Sequence, residues 1–304
     1  MINGIINVLK PPGMTSHDVV YFVRRVLKMK KVGHIGTLDP EAAGVLPVCI
    51  GKATKVVQYL TDKKKSYRAN IKFGTVTDTY DKYGKTVEEC SLVQVDAGRL
   101  EEVLKSFTGT ISQRPPIYSA VKVKGKKLYQ YALEGKDVQI EERQVEIYGL
   151  RLVDIIAPDE AIIDIDCSKG TYIRSLCHDI GEALGCGAHM SQLVRLESTP
   201  FAIENSKTLE EIENAQKEDR LAEIINSVEI LFESLKKVYI KTTALSSILN
   251  GNPLFEQGLQ EGLERFEEGE DVRIYGQEGF IGIGVVKFED EKQRKYIKLK
   301  NIFI

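Results

Sequence analysis

The residue in this chain most conspicuously placed for chemistry is Asp39. It lies in the stretch GHIGTLDPEAAGVLPVCIG, Gly33 to Gly51, where four glycines and two prolines fall within nineteen residues. Proline after an aspartate biases that aspartate toward extended backbone, and glycines permit turns that other residues resist. The loop can therefore present one carboxylate from a rigid perch. Helix capping is the ordinary role of an Asp-Pro-Glu, with Asp at the N-cap and Pro at the first helical position. Here Gly44 and Pro47 would stop such a helix within two turns, and the β-branched Val45, Val48 and Ile50 favour a strand instead. A carboxylate so held can act as a nucleophile, a general acid or base, or a cation ligand, and spacing alone leaves all three open.

The other reactive side chains are dispersed. Cys49, Cys90, Cys167, Cys177 and Cys186 are odd in number and never form Cys-x-x-Cys. That pattern argues against both a disulfide framework and a structural zinc site. His17, His34, His178 and His189 do not pair at a helical metal-ligand spacing, so no metal site is expected. No run approaches the ~20 apolar residues of a membrane span, and the opening MINGIINVLKPPG lacks the order of a signal peptide. A cytoplasmic protein is the expectation.

The formal net charge of −2 gives no overall basic character. Three acid-free stretches depart from this balance: YFVRRVLKMKK, KKKSYRANIK and RPPIYSAVKVKGKKLYQY. Single charge runs are commonly solvated faces, but three, two of them interleaved with tyrosines, point to a polyanion. Ammonium and guanidinium groups hold phosphates, and aromatic rings stack bases.

A chain of 304 residues favours two domains, placed here at 1–231 and 232–304. GIINVLKPPGMTSHDVVYFVRRVL predicts a strand, a Pro-Pro-Gly turn and a helix that Ser16 caps before the apolar stripe Val19, Val20, Phe22, Val23 and Val26. Strands are expected at VLPVCIG and SYRANIKFG, and AGRLEEVLKSFTG reads as an amphipathic helix ending at Gly109. A basic, tyrosine-bearing arm follows, about 113–145. Strands return at QVEIYGLRLVDII and AIIDIDCS, then helices at GTYIRSLCHDIGEAL and TLEEIENAQKEDRLAEII, the latter with a capping-box pair, Thr208 and Glu211. The tail alternates as short strands of a small, mostly β domain. Its Gly282-Ile-Gly284 is followed by strand, not helix, which removes a nucleotide-binding reading.

GHIGTLDPEAAGVL resembles the catalytic signature of the TruB-type tRNA pseudouridine synthases. Further stretches similar to that family follow in order: GIINVLKPPGMTSHDVV, KSYRANIKFGTVTDTYDKYG, QRPPIYSAVKVKGKKLYQYA and CSKGTYIRSLCHDIGEALGCGAHMSQLVR, together covering roughly residues 3 to 200. The tail resembles, more loosely, the family's PUA-like RNA-binding domain. The resemblance implies an α/β (α+β) pseudouridine synthase fold with a mixed, largely antiparallel sheet. It also implies isomerisation of a flipped-out uridine 55 in the T loop of tRNA, no cofactor, no metal and no membrane. tRNA is the partner implied, and the enzyme is expected to be a monomer.

By the same resemblance Asp39 is the nucleophile, with attack on C6 of the base or C1′ of the ribose both open. His34 stacks into the T loop beside the flipped base. Tyr67 stacks on the uracil and is the candidate to help remove the C5 proton. Arg174 pairs with Asp39 and keeps it ionised in a dry pocket. Tyr172 and Leu193 touch the nucleotide, Asp81 either makes a polar contact near the site or caps its own loop, and Lys122, Lys124, Lys126 and Lys127 of the arm meet the RNA backbone. Leu133 stands where the family pattern has an arginine, which removes one phosphate contact from the arm. The competing expectation is an RNA-binding or tRNA-folding protein without catalysis, against which the intact set Asp39, Tyr67 and Arg174 argues.

Overall fold

The structure, a computed structural model, describes residues 2–57, 63–90, 94–136 and 138–304. The chain begins with β1 (Gly4–Lys10), α1 (Ser16–Leu27), β2 (Val32–His34), β3 (Ala43–Ile50) and β4 (Lys65–Phe73). A hairpin of β5 (Thr75–Thr77) and β6 (Thr86–Glu89) leads to α2 (Ala97–Ser106) and β7 (Gly109–Gln113). The basic arm contains β8 (Lys122–Val123), β9 (Lys126–Lys127) and the short helix α3 (Leu128–Leu133). Next come β10 (Arg143–Ala157), β11 (Glu160–Cys167), α4 (Ile173–Leu184), β12 (Ala188–Ser198), β13 (Phe201–Ala202), α5 (Leu209–Lys217) and β14 (Ile225–Asn226).

Among the described residues ten strands form one sheet, in the order β14-β1-β3-β12-β4-β11-β10-β7, with β2 paired to β3 and β13 to β12. Its pairings are antiparallel except one: β12 runs parallel to β3, with Val194 opposite Ala43 and Arg195 opposite Gly44. The mixed, largely antiparallel sheet expected from the sequence is thus present, and its one parallel junction adjoins the Asp39 loop.

Period-two alternation decides what each central strand buries. Tyr67, Ala69, Ile71 and Phe73 of β4 face the same core as Ala161, Ile163, Ile165 and Cys167 of β11. Helix α4 covers that face with Ile173, Leu176, Cys177 and Ile180, and α2 adds Leu100 and Leu104. Each such aliphatic side chain contributes about 1.5–3 kcal/mol by leaving water. The opposite face of β4 is charged and matched: Lys64 with Asp166 at 2.9 Å, Arg68 with Asp164 at 2.8 Å, Lys72 with Asp159 at 2.7 Å. Helix α1 closes the other half of the sheet, burying Val19, Val20, Val23 and Leu27 against Ile6, Val8 and Leu46.

Three local expectations are corrected. Thr15, not Ser16, caps α1, in a reciprocal capping box with Asp18. The helix expected to end at Gly109 stops at Ser106, and Gly109, at φ +100°, opens β7. The helix starting after Thr208 has the capping box foreseen but ends at Lys217, well short of Ile225.

The tail holds β15 (Lys236–Tyr239), α6 (Leu245–Leu249), β16 (Leu254–Phe255), β17 (Asp271–Gly276), β18 (Gly279–Glu289) and β19 (Arg294–Ile302). These strands make a five-stranded sheet in the order β15-β17-β18-β19-β16. Phe280, Ile283 and Phe303 from this unit share one apolar cluster with Ile5, Val45, Phe201 and Phe232, so the small sheet is seated on the large one. Among the described residues no helix is long and apolar enough to cross a membrane.

Candidate active site

Asp39 occupies a turn between β2 and β3, in which the Ala42 amide donates to the Asp39 carbonyl at 3.1 Å. No helix follows, so the aspartate caps nothing. Three buried polar side chains fix this turn from below. Ser16 Oγ accepts from the Leu38 amide at 2.9 Å and donates to the Leu38 carbonyl at 3.1 Å. Lys10, fully buried at the end of β1, donates to the carbonyls of Pro11, Pro40 and Ala42 at 2.7–2.8 Å. Burial pushes its ammonium down to about 8, with Glu41 and Asp39 opposing. Arg195, also fully buried, donates to the carbonyls of Val45 at 2.6 Å and Gly36 at 2.9 Å.

The glycines of the stretch divide according to this packing. Gly44 has φ +110°, and a Cβ there would sit 2.2 Å from the Arg195 carbonyl, so only glycine lets β3 meet β12. Gly36, at φ +70°, passes beside the Arg195 guanidinium. Gly33, expected to aid the turn, lies in β2 without a left-handed φ and with open space around it.

Across a cleft of about 810 Å3 stands Arg174, in the first turn of α4. A cation is poorly placed at a helix N-terminus, where the macrodipole is positive, so this position requires anionic partners. It has two. Arg174 Nε lies 3.1 Å from Asp39 Oδ2 with Nη2 3.5 Å from Oδ1, and Nη1 lies 3.5 Å from Asp81 Oδ2. The carbonyls of Thr79 and Tyr118 accept the remaining donors at 3.3 and 3.0 Å. The start of α4 is itself clamped by buried Gln113, which accepts from the Tyr172 amide at 2.7 Å and donates to the Tyr172 carbonyl at 3.0 Å. The Arg174 side chain is 8% exposed and that of Asp39 45%. A buried, fully engaged guanidinium thus holds a carboxylate that stays open to the cleft.

Asp39, Asp81, Arg174 and Leu193 line this cleft together. Asp81 is oriented by Thr79 Oγ1 at 2.8 Å and the Tyr83 amide at 3.0 Å. Tyr67 lies in the core behind the loop, packed with Leu38, Ala42 and Leu193. Burial pushes its phenol up, with the Arg195 charge opposing. His34 meets the cleft only through the loop it shares with Asp39; its ring stands edge-on to His17 at 5.8 Å. Burial, then the charges of His17 and Arg195, hold His34 below the usual histidine range. Tyr172 is the N-cap residue of α4, and its ring is not among those lining the cleft. The pocket expected to be dry is open to solvent at Asp39, whose side chain is nearly half exposed. In the arm, Lys126 is paired with Glu134, while Lys122, Lys124 and Lys127 are exposed.

Comparison with known proteins accords with this arrangement. Residues 24–173 match the TruB family pseudouridylate synthase (N terminal domain), and residues 174–233 match the tRNA pseudouridylate synthase B C-terminal domain. A protein named tRNA pseudouridine synthase B from Alkaliphilus oremlandii (strain OhILAs) is 44% identical over 98% of this chain and 97% of its own. One of the same name from Caldanaerobacter subterraneus subsp. tengcongensis is 46% identical over 97% and 99%.

The chain belongs to the TruB family of pseudouridylate synthases.

Solved structures agree in fold. An H/ACA RNP bound to a substrate RNA containing 2′-deoxyuridine matches with a TM-score of 0.73 at 30% identity, covering 99% of this chain and 85% of that one. A Cbf5-Nop10-Gar1 complex matches at 0.72 and 32%, with the same coverage. In this TruB chain the junction between the two matched segments falls within α4, so the ion pair joins Asp39 of one to Arg174, the first residue of the other.

Four contributors to the site had escaped the sequence reading. Lys10 was detectable as a lone cation ending the apolar strand IINVLK, and Arg195 as a cation at an inward position of β12, two residues after Leu193. Tyr83 and Tyr118 line the cleft, Tyr83 donating its hydroxyl to Glu41 at 3.2 Å, and neither had a signal beyond its aromatic type.

Proposed function

We propose that this chain converts uridine 55 in the T loop of tRNA to pseudouridine, with Asp39 as the nucleophile. The observation that carries the reading is the two-point grip of buried Arg174 on the open Asp39 carboxylate, beside a cleft within the size range of small-ligand sites. The reaction breaks the bond from N1 to C1′, turns the uracil, joins C5 to C1′, releases the C5 proton and leaves a proton on N1. A stacked uridine would not reach this carboxylate, so the nucleotide leaves its loop and enters the cleft. Arg174 keeps Asp39 oriented, a fork grip that a lysine would not reproduce.

Leu193 offers an apolar wall to the base, and Tyr67, of the same apolar cluster, is assigned the stacking face. The Tyr67 hydroxyl lies near the buried Arg195 cation, which offsets part of the penalty of its burial; with the phenol still pushed up, the ring is assigned stacking ahead of any assistance to loss of the C5 proton. His34 is assigned to the T loop and the arm lysines to its backbone. The tail, residues 232–304, is assigned as a PUA-like RNA-binding unit of a monomeric, cytoplasmic enzyme.

Unmodified tRNA tritiated at uridine C5 tests the reading. Stoichiometric release of label is expected from the wild-type protein; a folded sample that releases none from several unmodified tRNAs would overturn it.

A further inference from the structure

The three acid-free basic stretches have different fates in the fold. Lys64, Arg68 and Lys72 of the second are neutralised by Asp166, Asp164 and Asp159 across β4 and β11. In the third, Lys126 is paired with Glu134. The first is unmatched: among the described residues Arg24, Arg25, Lys28, Lys30 and Lys31 form no ion pair, and all five are exposed. Arg24 donates to the Val32 carbonyl at 2.8 Å and Arg25 lies over the Phe22 ring, contacts that position these cations without cancelling their charge.

Helical spacing gathers them. With Val19, Val20, Val23 and Leu27 buried, His17, Tyr21, Arg24, Arg25 and Lys28 fall on the solvent side of α1, at intervals of three and four. Tyr21 is 68% exposed in the middle of that face, a large ring held in water among cations. No acid occurs between Asp18, which is used in the capping box, and Asp39. The acidic helix α5 packs on the opposite, apolar side of α1, where its Glu211 closes its own cap and Glu213 meets Lys217. The face also adjoins the site, because His17 at its start touches His34, and twelve residues of helix carry it roughly 18 Å away.

We propose that the solvent face of α1 is an RNA-docking surface, on which Arg24, Arg25 and Lys28 take phosphates of the substrate outside the loop presenting the target uridine, and Tyr21 lies against its sugar-phosphate backbone. The assignment rests on the proposed tRNA substrate. A polyanion is the occupant that an unpaired, acid-free cationic face calls for, and the contact adds affinity without touching the reacting atoms.

Binding of unmodified tRNA, measured against salt for the full-length protein, tests this. Arg25→Glu/Lys28→Glu is expected to weaken binding at least about tenfold near physiological salt and to reduce the slope of log K against log salt by about two. Turnover at saturating tRNA should be unchanged. A control pair of equal charge change on exposed cations of α2, Arg99→Glu/Lys105→Glu, should bind within about twofold of wild type, and Tyr21→Ala should weaken binding by a few-fold without changing the slope. Equal losses in both charge pairs would mean net charge alone, and no loss in the α1 pair would mean no contact; either overturns the proposal. Binding is read without turnover, so an inactive wild type would refute the isomerase reading and not this one.

Discussion

At the scale of single residues the site is a contrast between a buried cation and an open carboxylate. Arg174→Lys keeps the charge but loses the fork, and turnover should fall at least about 100-fold with tRNA binding little changed, as measured by kcat and Kd. Tyr67→Phe keeps the ring and removes the hydroxyl. If that hydroxyl assists proton loss, kcat should drop by roughly 10²-fold or more while Kd holds. His34 gives a pH signature. Its folded pKa is lowered, so the unfolded chain binds the proton more readily, and stability should be lost as pH falls below about 6.5. The loss ends once folded His34 is itself protonated, and His34→Gln should flatten that limb in denaturant melts taken across pH. Sequence reading found Asp39 because its turn chemistry had no helix to serve. It missed Lys10 and Arg195, because a cation held by backbone carbonyls has no partner visible in the chain.

Elements explain why the carboxylate stays where it is. The parallel junction of β3 and β12 exists only because Gly44 lets one backbone lie against the other, so Gly44→Ala should cost about 3 kcal/mol or more in equilibrium unfolding. Ser16→Ala removes both bonds to Leu38 and should cost about 1–2 kcal/mol while lowering kcat more than it changes Kd. Helix existence and type were legible from periodicity and caps, as with Thr208 and Glu211. Neighbouring hydroxyls were harder: Thr15 and Ser16 both suit an N-cap, and the tertiary demand of the Leu38 backbone decides between them. Register between distant strands, which brings Arg195 beside Tyr67 and Gly44, has no local signature.

Across the whole molecule, composition hid the unmatched basic surface that folding sorts out. A net charge of −2 coexists with unmatched basic surface on α1 and the arm because acids of β11 neutralise β4 instead. The tail is seated on the large sheet through Phe280, Ile283 and Phe303, so a chain ending at residue 235 should expose Phe232 and Ile5, bind a hydrophobic dye and melt at lower temperature than the full chain. The most direct test of the central claim is the pseudouridine content of position 55 after unmodified tRNA meets excess wild-type or Asp39→Asn protein, with binding matched. The account predicts near-complete conversion by the wild type and none by the variant. Conversion by Asp39→Asn at a rate close to wild type would contradict it.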